Sequence, residues 1–260
     1  VPAIPLGQLR QALPFQVADL LPVPVSETIL DFYPISAVEG SDPPEMHGLL
    51  VAAIKESIET NVTTIEDAGL KVVGVDLSPF GLVRALTAAG QTEGCRTLVM
   101  IGDRTTFIVV ATDGVPQFVR IVPAGGDTIT EAVQEATDLD ESAAHELKMQ
   151  IGIDQGAQPE YSAPADAMLG ALRSIIGSIR STNSYYLSNN SGAAISEVIV
   201  LGRDTRVPGL VRAIGEHLRL PTAAGTPLAG IKVSSDVPSD TLAHLEPELA
   251  IALGLALGNR

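Results

Sequence analysis

Three glycine-containing turns supply the residues best suited to hold an anion such as phosphate. The first contains Gly102 and Thr106 between two predicted strands, the second has Gly125 and Gly126 before a predicted helix, and the third places Gly202 before another helix. Glycine lets backbone N–H groups approach a phosphate closely, and a helix N-terminus adds the positive end of its dipole. One such turn is more often an ordinary turn. Three of them in this order, separated by two predicted helices, favour a phosphate-binding site.

Other kinds of chemistry find little support in the sequence. Cys95 is the single cysteine, so no disulfide within the chain and no cysteine-based metal site is expected. The four histidines form no HxxxH or HExxH pair, and no Ser/His/Asp or Cys/His pattern stands out. His145 beside Glu146 is interpreted as an exposed helix face rather than an acid–base pair. The acidic residues show no paired spacing typical of a glycosidase.

The charge balance argues against direct binding of nucleic acid. The 260-residue chain carries 31 acidic residues against 16 lysines and arginines, a formal net charge of −15, with no basic run. Nucleic-acid phosphates are bound by clustered basic side chains, which this sequence lacks. The same balance disfavours docking on an anionic membrane, and no segment reaches the roughly 18 consecutive apolar residues of a spanning helix. We expect no nucleic-acid partner and no direct membrane insertion.

The elements that position the glycine turns are predicted to be apolar strands and alanine-rich helices. Hydrophobic residues make up 45% of the chain and aromatic residues only 3%, with no tryptophan. A core of Ala, Val, Ile and Leu is typical of β-α units. The composition therefore predicts a folded α/β protein.

Residues 1 to about 90 are predicted to form one α/β module. A β-α-β connection usually keeps its two strands adjacent, so the predicted strands at 48–54 and 71–76 should be neighbours. Hydrophobic periodicity and breakers predict helices at 6–20 (interrupted by Pro14), at 55–68 and from Ser78 onward, and strands at 27–35, 48–54 and 71–76.

The remaining residues are predicted to form a second region centred on one sheet. Asp113-Gly114 is a strong hairpin turn, and Thr128 with Glu131 forms a candidate capping box at a helix start. The strand ends at Gly102 and Gly202 are expected within about two strand spacings, each roughly 4.8 Å. Strands are predicted at 97–102, 106–111, 115–122 and 197–202, and helices at 128–137, 140–151, 165–186, 208–218 and 247–257.

These segments, taken in order, resemble the PilM family of type IV pilus assembly proteins, within the actin-like ATPase (FtsA/PilM) superfamily. The hairpin at Gly102 resembles that fold's second phosphate loop, and the turn at Gly202 resembles its adenosine loop. The further segments that carry the resemblance are Val1-Pro2-x-x-Pro5-Leu6, Leu21-Pro22-Val23-Pro24, Leu30-Asp31-Phe32, Val51-Ala52-Ala53, Ala68-Gly69-Leu70, Val75-Asp76, Glu146-Leu147-Lys148 and Pro247 to Leu257.

The resemblance implies a two-lobed actin-like ATPase fold (α/β, with α+β lobes) with an inserted subdomain of the 1C type. It implies a partial first lobe over 1–92, a second lobe of 2A/2B type over 93–242, and a C-terminal helix over 243–260 that returns to the first lobe. The N-terminal hairpin of subdomain 1A is expected to be missing, because the chain starts at Val1-Pro2 without an initiator Met or signal-peptide features.

The resemblance also implies ligands and partners. The family binds ATP, and Mg is expected with it. The partner implied is the cytoplasmic tail of a PilN-like membrane protein, with self-association into a ring and a cytoplasmic location peripheral to the inner membrane. The nucleotide contacts implied by the family's motifs are Gly102, Thr105, Thr106, Gly125, Gly126, Lys148 and Gly202.

Three departures from the family pattern predict a degenerate cleft. Met100 stands where the family has a metal-orienting Asp, which Met cannot replace. Arg203 replaces a glycine of the adenosine loop, and His145 replaces a ribose-contacting Glu. We therefore expect a scaffold that binds Mg-ATP poorly and does not hydrolyse it. The alternatives left open are an active ATPase that switches pilus assembly, an FtsA-like cell-division protein, and a sugar or acetate kinase of the same fold.

Overall fold

A computed structural model describes residues 1–234 and 236–258 of the chain. The chain divides into two compact units, Val1–Val75 and Asp76–Arg260.

The first unit is a two-stranded antiparallel ribbon with a helix packed on it. Its elements are α1 (Leu6–Gln16), β1 (Thr28–Ala37), β2 (Met46–Ile54) and α2 (Lys55–Asp67). Leu9 and Leu13 of α1 are fully buried against Phe32 of β1. The Phe32 ring lies over Gly48 of β2, where a Cβ would overlap it. The small core therefore depends on a large side chain paired with a glycine on the neighbouring strand.

Two predictions for the N-terminal region are wrong. Residues 70–77 form neither helix nor strand, and β2 pairs with β1 alone, so the expected β-α-β pair does not exist. Val73 and Val75 are 71% and 59% exposed, which shows that β-propensity without a packing partner does not make a strand. Helix α3 (Ser78–Ala88) packs in the second unit instead of completing a module over residues 1–90.

The second unit is built on a five-stranded sheet of order β5-β4-β3-β6-β7. Strands β3, β4 and β5 form an antiparallel meander, whereas β6 and β7 run parallel to β3. The prediction that the hairpin, the following helix and strand 197–202 share one lobe is confirmed. The strands are β3 (Cys95–Ile101), β4 (Thr106–Thr112), β5 (Val115–Val122), β6 (Glu197–Leu201) and β7 (Thr222–Ala224).

Helices cover both faces of this sheet. Alternation along β3 sends Leu98 and Met100 toward α3 and α8, and Val99 and Ile101 toward the other helices. The helices are α3, α4 (Gly126–Thr137), α5 (Glu141–Ile151), α6 (Ser162–Asn189), α7 (Leu210–Leu218) and α8 (Ser239–Leu257). None of the helices in the described part of the chain is long and apolar enough to cross a membrane.

Helices α3 and α8 cross at a pair of glycines. A Cβ at Gly254 would overlap the carbonyl of Gly81, so the two backbones touch directly. Helix α8 starts at Ser239, well before the predicted residue 247, and Pro247 lies inside it.

The start of α4 also differs from the prediction. The helix begins at Gly126 with Gly125 as N-cap, so Thr128 lies in the first turn and is not the N-cap of the proposed capping box. The Thr128 hydroxyl instead accepts a long hydrogen bond from the Gly125 N–H, at 3.5 Å.

Candidate functional site

Two of the predicted glycines lie side by side at the ends of neighbouring parallel strands. Met100 of β3 pairs with Leu201 of β6, and Gly102 and Gly202 follow these strands. Gly202 has a φ of 108°, and a Cβ there would overlap the carbonyl oxygen of Ile101. Only glycine allows the turn after β6 to approach β3 so closely. The expected neighbourhood of these two turns is therefore confirmed.

The hairpin turn after β3 is hydrogen-bonded to the start of α4. The Gly102 carbonyl accepts from the Gly126 N–H at 2.9 Å, and the Asp103 carbonyl accepts from the Asp127 N–H at 2.8 Å. A Cβ at Gly125 would overlap the carbonyl of Gly102, which explains the glycine before the helix. These two amides, which a free helix N-terminus would offer to an anion, are bonded to carbonyl groups of the chain.

The two threonines of the hairpin have different positions. Thr106 is fully buried, and its hydroxyl donates to the Ala124 carbonyl at 2.8 Å, which ties β4 to the segment before α4. The Thr105 carbonyl accepts from the Gly102 N–H at 3.0 Å and closes the turn.

Lys148 lies in the interior and forms an ion pair with Asp204. The Lys148 side chain is 1% exposed and that of Asp204 is 4% exposed. The ammonium donates to the Gly126 carbonyl at 3.1 Å and to the two Asp204 oxygens at 3.0 and 3.1 Å. An ammonium has three protons, so these three acceptors satisfy it. The sequence predicts Lys148 as a site residue but gives no signal for Asp204 other than its place in the turn after β6.

An open cleft of about 1050 Å³ borders these elements. Acidic groups dominate its lining, with five carboxylates against two guanidinium groups. The lining residues are Asp103, Arg104, Asp127, Thr130, Asp140, Glu141, Ser142, His145, Glu146 and Arg203. The seven predicted contact residues are not among the residues that line the cleft. Gly102 and Thr105 are partly exposed, and the others are buried: Thr106, Gly125, Gly126, Lys148 and Gly202.

Arg203 reaches from the turn after β6 toward α8. Its Nε lies 3.5 Å from Oε1 of Glu248, which also binds Arg206 at 3.1 Å. Partial burial acts to lower the pKa of Arg203, but the hydrogen bond to Glu248 and the nearby carboxylates raise it above its usual value. Arg203 is therefore a permanent cation at the cleft wall, fixed by α8.

Met100 provides no ligand for a metal ion. It is 7% exposed and packs in the apolar layer between the sheet and helices α3 and α8. Over residues 1–234 and 236–258, no group of three His, Cys, Asp or Glu side chains is arranged to hold a metal ion.

Comparison with known proteins gives one family. The family model described as "Type IV pilus assembly protein PilM" matches residues 7–260. Among curated proteins, the cell division protein FtsA of Streptococcus pneumoniae is 28% identical over 108 residues, which cover 42% of this chain and 24% of that protein. The chain covers 24%, 34% and 64% of the length of three curated FtsA proteins that it matches.

Two solved structures illustrate the fold. A "PilM-PilN type IV pilus biogenesis complex" aligns with a TM-score of 0.83 and 25% identity, over 99% of this chain and 74% of that one. MreB 5 of Spiroplasma citri bound to AMPPNP aligns with a TM-score of 0.56 and 13% identity, over 79% of this chain and 64% of that one. The fold is that of the actin-like proteins.

Proposed function

The chain belongs to the PilM family of type IV pilus assembly proteins, and from this premise we propose that it is a scaffold of type IV pilus assembly. Its proposed partner is the cytoplasmic tail of a PilN-like inner-membrane protein. The observation that supports this partner is the likeness, over 99% of the chain, to a protein solved as a PilM-PilN complex.

The proposed scaffold works on the cytoplasmic side of the inner membrane and is held there by its partner. Self-association into a ring is part of the same proposal. The net charge of −15 suits attraction of a basic tail segment and disfavours anionic membrane lipid.

The actin-like cleft is proposed to be degenerate. Holding nucleotide phosphates requires free backbone amides and cations. In this chain the Gly126 and Asp127 amides are bonded to the hairpin turn, and Lys148 is paired with Asp204. The cleft lining is mainly acidic, and Met100 is buried in an apolar layer. These residues fit a nucleoside triphosphate poorly. A scaffold that does not hydrolyse ATP therefore agrees best with the arrangement of the site.

Calorimetric titration with a synthetic peptide tests the scaffold proposal. The peptide is the N-terminal cytoplasmic tail of a PilN-like protein from the same organism, and a scrambled peptide of the same composition is the control. We expect saturable binding with a Kd on the order of micromolar for the native tail only. Equal binding of both peptides, or binding of neither, would contradict the proposal.

A nucleotide-driven switch is the second candidate, because the cleft is open and the fold is actin-like. Phosphate release from Mg-ATP, compared with the Gly202→Ala variant, tests it. Release by the wild-type chain that the variant loses, although its circular dichroism shows that it is still folded, would favour the switch over the nucleotide-independent scaffold.

A further inference from the structure

The Lys148–Asp204 pair is the one ion pair in the described residues whose two side chains are both almost fully buried. It joins three segments, since Lys148 belongs to α5, Asp204 to the turn after β6, and the accepting Gly126 carbonyl to the start of α4. Buried ion pairs add little net stability over apolar side chains of similar size, because desolvation offsets the attraction. Stability alone therefore does not explain why this pair lies here.

The position of the Asp204 carboxylate indicates what it does. A Cβ at Gly126 would lie 2.6 Å from Oδ2 of Asp204, so the carboxylate abuts the first residue of α4. Helix α4 has 12 residues, and its N-terminus carries the positive end of the helix dipole. Lys148 adds a full positive charge beside it. Asp204 thus provides the anion at a place that would otherwise attract one.

Residues close to the pair in sequence line the cleft. Lys148 is one turn further along α5 than His145, and Asp204 follows Arg203, and both of those neighbours line the cleft. A phosphate or other anion at the start of α4 would compete with the Asp204 carboxylate for the Lys148 ammonium.

We propose that Asp204 determines the nucleotide affinity of the cleft by occupying Lys148 and the start of α4 as an internal anion. It is a specificity-determining residue that acts through Lys148. The inference rests on the proposed function, in which the cleft is a degenerate nucleotide site, and it names the residue that keeps nucleotide out.

Substitution of Asp204 by asparagine tests the proposal. Asp204→Asn removes the charge but keeps the shape, so Lys148 is freed for a phosphate. We expect Mg-ATP, titrated by calorimetry, to bind Asp204→Asn at least about tenfold more tightly than the wild-type chain. The matched control is Asp166→Asn on α6, which removes the same charge from an exposed position outside the cleft and should change the affinity by less than about threefold. No gain for Asp204→Asn over this control overturns the proposal.

A double variant keeps the test decisive if Asp204→Asn is unstable. Lys148→Met with Asp204→Asn removes both charges and changes the volume of each side chain little, so no unpaired charge is left in the interior. Its Mg-ATP affinity should stay within about threefold of the wild-type value, because the lysine that Asp204→Asn exposes is gone. A loss of about tenfold would mean that Lys148 already contacts nucleotide, and a gain of that size would mean that the lysine is irrelevant. Either result overturns the proposal.

Thermal unfolding of each variant separates a specificity role from a structural one. Loss of a purely structural contact lowers the midpoint and cannot raise nucleotide affinity. Binding of the PilN-like tail is measured on the same samples. If the tail fails to bind while Asp204→Asn gains Mg-ATP affinity, the scaffold proposal fails and this inference stands. If the tail binds and Asp204→Asn gains no Mg-ATP affinity, the scaffold proposal stands and this inference fails.

Discussion

Replacing Lys148 by methionine leaves the Asp204 carboxylate buried without the ammonium that contacts both of its oxygens. The Asp204 side chain is 4% exposed, so water cannot replace the lost partner. Three hydrogen bonds disappear at once, two to the carboxylate and one to the Gly126 carbonyl. Methionine fills a similar volume, so the change is mainly electrostatic.

The expected loss of stability is about 3–5 kcal/mol, the usual cost of removing one partner of a buried ion pair. For a unit of this size that corresponds to a fall in the unfolding midpoint on the order of 10 °C. The double variant Lys148→Met, Asp204→Asn should recover much of this loss, because it leaves no unpaired charge. The interaction energy between Lys148 and Asp204 then accounts for a large part of the stability that Lys148→Met loses.

Urea unfolding of the wild type, both single variants and the double variant measures this coupling. The double-mutant cycle gives the interaction energy between the two residues directly. The m-value shows whether each variant exposes the same surface on unfolding as the wild type. A loss below about 1 kcal/mol for Lys148→Met, within the range of exposed ion pairs, would contradict the prediction of a buried pair. It would mean that the pair is solvated in solution and that Asp204 is not held against α4.

Three further substitutions test the packing around the site by thermal unfolding. Gly254→Ala should destabilise the chain by at least about 2 kcal/mol, because its Cβ would overlap the backbone of α3. The control Gly177→Ala on α6, whose Cβ would meet nothing within 4 Å, should stabilise the chain by up to about 1 kcal/mol. Equal effects of the two substitutions would contradict the close crossing of α3 and α8. Gly202→Ala combines a φ of 108° with an overlap and should lose at least about 2 kcal/mol, and a neutral result would show that the turn after β6 adjusts freely. Met100→Asp should lower the free energy of unfolding by about 3 kcal/mol or more, because it buries a carboxylate. The control Met100→Leu should lower it by less than about 1.5 kcal/mol. An aspartate variant as stable as the wild type would mean that this side chain lies near solvent.

The sequence predicts the hairpin and the adjacent glycine turns because their signals are local. Asp113-Gly114 fixes the hairpin, and apolar runs mark the strands that end at Gly102 and Gly202. With these strands parallel and paired, the two turns necessarily lie together. The three-layer packing follows from alternation along the central strands.

The sequence predictions that are wrong fail because of contacts between residues far apart in the chain. Residues 71–76 carry strand-forming valines, but no strand edge pairs with them, so propensity alone is not enough. Helix α4 starts earlier than its capping signal because carbonyls of the hairpin turn bond its first amides. The partner of Lys148 lies 56 residues away in sequence, beyond the reach of any spacing argument. The nucleotide role of Lys148 stays a prediction.

One calorimetric titration, carried out twice, tests whether the proposed scaffold depends on nucleotide. The tail peptide of the PilN-like partner is titrated into the chain without nucleotide and then with saturating Mg-ATP. We expect the same Kd, within about threefold, in both titrations, because the proposed scaffold does not depend on an occupied cleft. Peptide binding that appears only with Mg-ATP would contradict it, since by reciprocal linkage the cleft would then be a working nucleotide switch.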